Sequence, residues 1–167
     1  LAKSLMQLKE SLIKEKEMYD GVLKLSKEKQ DLIVKGKVKE IEVLTQKEQV
    51  YIKHMGTFEK IRRSIFTNAS KELNIREVDN VSELLLFIDE KEGKEIDGLR
   101  DEILETIKEL KDVNEENEAL IKKSLEFIDF NKELIASIQQ EGPQNNDYTE
   151  KASERSKSSK SILDMKI

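Results

Sequence analysis

The sequence predicts an all-α fold. It reads as an elongated antiparallel helical bundle of three long helices, over about residues 2–34, 38–72 and 94–140, plus a short connecting helix and a C-terminal tail. Two observations predict it. Charged residues fill 39% of the 167 positions, aromatic residues only 5%, and proline occurs once. This is the composition of long charged helices. Apolar residues also recur three and four positions apart over long stretches, the period of a helix with one face turned to a core.

The first helix carries Leu5, Leu8, Leu12, Tyr19, Val22, Leu23, Ser26 and Ile33 on a near-heptad stripe. Met18, Leu25 and Leu32 widen it, and a stripe this broad suits a helix touching more than one neighbour. Gly21 sits inside the run and costs about 1 kcal/mol against alanine, which the surrounding pattern should override. Gly36 ends the helix with a left-handed cap. The turn Lys35-Gly36-Lys37 is short enough that the second helix must run back antiparallel.

The second helix places Val38, Ile41, Leu44, Tyr51, Ile52, Met55, Phe58, Ile65, Phe66, Ala69 and Leu73 on its stripe, with Glu48 and Arg62 near it. Those two read as boundary ion pairs or snorkelling side chains. Residues 74–91 form a connector. Asp79 or Asn80 would cap a short helix over 81–90, whose Leu84, Leu85, Phe87 and Ile88 would plug one end of the bundle. Gly93 and Gly98 predict a bend at the start of the third long helix.

That helix repeats Ile96, Ile103 and Leu110 every seventh residue, then continues the row with Asn117, Ser124 and Asn131. Leu99, Val113, Leu120, Phe127 and Leu134 run beside this row, and Ile107, Ile121, Ile128 and Ile135 on its other side. Its second half therefore has a polar centre line between two apolar rows, an arrangement that fixes register. Gly142-Pro143 stops it. Residues 1–141 thus read as one helical domain and 142–167 as a tail. Most of that tail is too polar to fold alone, but it closes on an apolar segment with Ile162, Leu163 and Met165, which reads as a docking segment or a frayed end.

Charge is uneven. The net charge is -5, yet residues 76–141 carry 9 basic and 20 acidic side chains, and this segment should lie beside the mildly basic first two helices. Basic residues are interleaved with acids rather than gathered into a stripe with stacking aromatics, which argues against nucleic-acid binding. No apolar run approaches the ~20 residues of a membrane span. No signal-like segment opens the sequence, which starts at Leu1 rather than Met; the expectation is a soluble cytoplasmic protein without membrane insertion.

Helix lengths locate a surface. At 1.5 Å per residue the first two helices are about 50 Å long and the third about 70 Å. Running back beside the second, the third should overshoot the Gly36 turn by roughly 20 Å, over about residues 126–140. Phe127, Ile128, Phe130, Leu134, Ile135 and Ile138 lie there, and uncovered apolar patches of this kind mark interaction sites. A partner's amphipathic helix would cover them; self-association, as a homodimer, is the rival.

Catalysis finds little footing. There is no cysteine, and His54 is the one histidine, which leaves neither a thiolate metal site nor a histidine cluster for zinc. No phosphate-binding glycine loop is present. Glu115 and Glu116, near Asn114 and Asn117, are the nearest approach to a polar cluster and read as structural. No cofactor or metal is expected.

The chain resembles the FlgN family of flagellar export chaperones. The likeness starts at Leu5-x-x-Leu8-x-x-x-Leu12 with Glu17, Tyr19, Leu23 and Leu25, and continues through Lys27-Glu28-Lys29-Gln30-Asp31 into Leu32-Ile33-Val34-Lys35-Gly36-Lys37-Val38. Glu48, Phe58-Glu59 and Arg62 or Arg63 are similar to the family's second helix. Asn114-x-x-Asn117-x-x-Leu120-Ile121 and Ser124-Leu125-Glu126-Phe127-Ile128 are similar to its last helix, and Ser161-Ile162-Leu163-Asp164-Met165-Lys166 to its C-terminal signature. Residues 74–95 depart most. The resemblance implies a cytoplasmic chaperone of hook-filament junction proteins that covers their C-terminal helices and delivers them to the type III export apparatus. It also implies substrate contacts in the C-terminal part of the chain. The expected binding residues are Asn117, Leu120, Ile121, Leu125, Phe127, Ile128, Phe130, Leu134, Ile135 and Ile138, with Asn117 setting register and Ile162, Leu163 and Met165 docking second.

Overall fold

A computed structural model describes residues 2–139. Every regular element among them is helical: α1 (Lys3–Val34), α2 (Val38–Glu72), α3 (Val81–Leu84) and α4 (Glu90–Gln139). The tail residues Ile162, Leu163 and Met165 lie outside the described residues.

Two matching turns shape the chain. At the end of α1, Gly36 takes φ +68°, Lys37 N donates to Leu32 O at 3.0 Å, and Gly36 N donates to Ile33 O at 3.1 Å. At the end of α2, Asn74 takes φ 53° and the same pair of bonds recurs, Ile75 N to Ser70 O and Asn74 N to Lys71 O. Each satisfies carbonyls that a helix end leaves orphaned. Asparagine tolerates the left-handed region better than most residues.

The cross-helix pairs give the chain directions. Ser4 N meets Glu72, Glu15 meets Arg62 and Ser26 meets Glu48, so α1 and α2 run oppositely. Lys9 meets Glu95, Lys16 meets Glu102, Asp20 meets Thr106 and Gln30 meets Glu116, so α1 and α4 run the same way, in steady register. The bundle is centred on α1, which packs against both α2 and α4. This accounts for its broad stripe. The expectation that α4 lies beside α2 is corrected: α2 and α4 approach each other far less closely than either approaches α1. The lysines of α1 face the acidic flank of α4 at Glu95, Glu102 and Glu109, as the charge asymmetry suggests.

The core joins Leu5, Leu8, Leu12, Tyr19 and Val22 of α1 to Met55, Ile65, Phe66 and Ala69 of α2 and to Ile96, Ile103 and Leu110 of α4. Gly21 has a packing reason. A Cβ there would stand 2.9 Å from Tyr51 Oη and 3.1 Å from its Cζ, so the tyrosine ring of α2 rests where a side chain would project.

The connector differs from expectation in two respects. The short helix spans Val81–Leu84 rather than 81–90, with Asn80 Oδ1 accepting from Glu83 N at 2.9 Å. The chain then turns, and Asp89 Oδ1 accepts from Glu92 N at 2.9 Å to open α4. This cap starts the last helix at Glu90, earlier than 94, and α4 runs unbroken through Gly93 and Gly98. Leu84 is buried, with Val78 and Val81. Leu85 and Ile88 pack against the core. Phe87, expected in the plug, stays exposed beneath Arg76, whose guanidinium lies 5.7 Å from its ring centroid.

Candidate functional site

The surface of interest is built by the mismatch between α1 and α4. Their register pairs Gln30 with Glu116, and extending it sets Val34, the last residue of α1, level with about residue 120. From there to Gln139, α4 continues for about 28 Å with no other helix beside it among the described residues. The projection thus begins nearer 121 than 126.

At its base is a polar layer. Asn117 is buried, and its Nδ2 donates to Ser26 O of α1 at 2.9 Å. Ser26 Oγ lies 3.0 Å from Asn114 Oδ1 and 3.5 Å from Glu48 Oε1, and its single proton favours the nearer. Glu48 also takes Lys29 Nζ at 3.2 Å, and Gln30 Nε2 donates to Glu116 at 2.8 Å. Asn117 Oδ1 is buried without a hydrogen-bond partner. Asn117 therefore belongs to the α1–α4 interface, not to the uncovered length of α4.

Above this layer, Leu120, Ile121 and Leu125 are half-buried. Phe127, Ile128, Phe130, Leu134, Ile135 and Ile138 are all exposed, from 47% at Ile128 to 74% at Ile138. Six large apolar side chains on one projecting helix is more than scattered exposure explains. Val34 and Val38, either side of the Gly36 turn at the same end of the molecule, are exposed as well. Sequence reasoning did not single them out as surface residues, because Val38 fits the α2 stripe. The signal was their place at the very ends of two helices, where no neighbouring turn remains to cover them.

A second polar cluster lies inside the bundle. Arg62 Nη1 donates to both carboxylate oxygens of Glu15, at 2.8 and 2.9 Å, and both side chains are buried. Burial pushes the Glu15 carboxyl above its usual 4.5, and the Arg62 charge and hydrogen bond only partly oppose this. Tyr19, beside the pair, is pushed up to about 12, first by burial and then by the Glu15 charge. Glu15 was legible as the missing member of the stripe between Leu12 and Tyr19. His54 stands exposed on α2, and the described residues hold no group of three potential metal ligands.

A family model described as FlgN protein matches residues 4–156. The chain belongs to the FlgN family. Membership implies a flagellar export chaperone role, and the FlgN family is a chaperone family rather than an enzyme family. The chain is also similar to a protein of Bacillus subtilis (strain 168) named "Uncharacterized protein YvyG". The two are 28% identical over 118 residues, 71% of this chain and 72% of that protein. No solved structure gives a significant match. As a FlgN-family chain it shows no helix, among the described residues, long and apolar enough to cross a membrane.

Proposed function

We propose that this chain is a cytoplasmic, non-enzymatic chaperone that binds the C-terminal helices of flagellar hook-filament junction proteins. It keeps them from assembling prematurely and delivers them to the type III export apparatus. The observation that carries this reading is the run of exposed apolar side chains from Phe127 to Ile138, on a stretch of α4 with no companion helix among the described residues. An amphipathic helix laid along it would bury its own apolar face and that of α4 together. The contacts are side-chain packing on a rod, so release at the export gate breaks no covalent bond. Leu120, Ile121 and Leu125 would extend the contact toward the bundle, and Asn117 would mark where it ends. The tail segment at Ile162, Leu163 and Met165 belongs to the same proposal as a second docking element beyond the 1–141 domain.

The test is calorimetric titration of the full chain with a peptide of the C-terminal helix of a junction protein from the same organism. Saturable binding that vanishes in the Phe127→Ala, Ile128→Ala, Ile135→Ala variant is expected. A folded, monomeric chain that binds no such peptide overturns the reading. The same exposed row favours one rival, a coiled-coil scaffold that self-associates there. Sedimentation over a concentration series separates them, since a dimer indifferent to the peptide is the scaffold's signature.

A further inference from the structure

The α1–α4 interface shows what the centre row of α4 does when a helix covers it. At seven-residue intervals Ile96, Ile103, Leu110 and Asn117 are the innermost positions, exposed by 0%, 0%, 1% and 4%. Their flanking partners Leu99 and Ile107 are only partly buried. Where the row turns polar, at Asn117, the covering helix answers with a polar group: its Ser26 carbonyl accepts from Asn117, and its Ser26 hydroxyl meets Asn114. The row continues past the end of α1 as Ser124 and Asn131, between the exposed rows of Phe127 and Leu134 and of Ile128 and Ile135. The uncovered face is thus continuous with a formed interface and has the same centre line.

From this continuity we infer that Asn131 is a specificity determinant for the bound helix, selecting one with a hydrogen-bonding side chain in its apolar seam. The inference rests on the chaperone reading above and deepens it. Any helix that covers Phe127 through Ile138 turns the centre row into the most buried part of the contact. An asparagine amide held there has two donors and an acceptor oxygen to satisfy. A seam of Leu and Ile offers that amide at most a main-chain carbonyl, as Ser26 offers Asn117, and leaves its oxygen without a donor, as Asn117 Oδ1 is left, whereas a Ser, Thr, Asn or Gln opposite it supplies the donor. Ser124 makes a weaker demand, because its Oγ donates to Leu120 O of its own turn at 2.9 Å and stays satisfied when covered. The discrimination therefore concentrates at Asn131, one position in a face that is otherwise apolar and permissive.

The experiment uses the full chain and two peptides. One is the C-terminal helix of the organism's junction protein, and the other is the same helix with every polar, uncharged residue of its apolar seam replaced by leucine. The wild-type chain should bind the leucine peptide about ten-fold or more weakly than the natural one. The Asn131→Leu variant should lose or reverse that preference while keeping its helicity, since leucine is the better helix former at an open position. Equal binding of both peptides by the wild-type chain overturns the inference and leaves the chaperone reading standing. So does an Asn131→Leu variant that gains affinity for both peptides by the same factor. A folded wild-type chain that binds neither peptide overturns both.

Discussion

Arg62 grips Glu15 with a single terminal nitrogen, Nη1, 2.8 and 2.9 Å from the two carboxylate oxygens, in the middle of the α1–α2 interface. The pair occupies a stripe position that leucine or isoleucine fills elsewhere along α1. It fixes which residues of α1 and α2 stand opposite each other, because any slip leaves two charges buried apart. Removing one partner, as in Arg62→Met, should cost about 3–5 kcal/mol in urea unfolding. Replacing both, Glu15→Leu with Arg62→Met, should be neutral or stabilising by about 1–4 kcal/mol.

The pH dependence of the pair follows from the raised Glu15 pKa. The folded carboxyl holds its proton more tightly than the unfolded one, since burial outweighs the pull of Arg62. Its contribution to stability is therefore greatest below the ordinary value of 4.5 and is lost as the pH rises through the folded-state pKa. Urea midpoints measured from pH 4 to 7 should show a falling component that the double variant lacks.

Tyr19 makes the corresponding prediction at high pH. Its phenol is raised from 10.0 to about 12. The folded state keeps that proton longer, so the stabilisation is complete below 10 and disappears as the pH rises through 12. The loss should approach roughly 2–3 kcal/mol, and Tyr19→Phe should abolish this part of the alkaline unfolding profile.

Gly21 separates helix propensity from packing. In an open helix, alanine in place of glycine gains about 1 kcal/mol. Here the new Cβ meets the Tyr51 ring at 3.1–3.2 Å, besides its hydroxyl. Gly21→Ala should therefore destabilise the wild-type chain, yet stabilise a Tyr51→Ala background by about 1 kcal/mol. A gain in both backgrounds would show that Tyr51 swings aside freely.

How much of this was legible in the sequence depends on the range of the interaction. Gly36 and Asn80 announce their roles locally, through a left-handed turn and a side-chain cap, and both act as read. Gly93 and Gly98 do not interrupt the helix, because the Asp89 cap and the packing of Leu85 and Ile88 near Gly93 carry it through. Periodicity shows that α4 has an apolar face but not which helix it meets. That choice rests on α1 offering stripes on two sides, and on pairs such as Lys16 with Glu102 far apart in sequence. The apolar projection was readable from helix lengths alone. Its starting point was not, because that depends on the register between α1 and α4, which Ser26 and Asn117 mark.

The last prediction tests whether the projecting end of α4 is surface or core. Phe127, Ile128 and Ile135 are 66%, 47% and 52% exposed, so truncating them removes little packing from the folded chain. Substitutions at such positions change stability by less than about 0.5 kcal/mol each, and alanine is the best helix former of all. The triple alanine variant should keep its helicity and its urea midpoint. By contrast, Leu110→Ala, on the same helix but 1% exposed, should cost about 2–5 kcal/mol. If the triple variant unfolds as readily as Leu110→Ala, these side chains are held against the protein in solution. The partner-binding face then lies elsewhere.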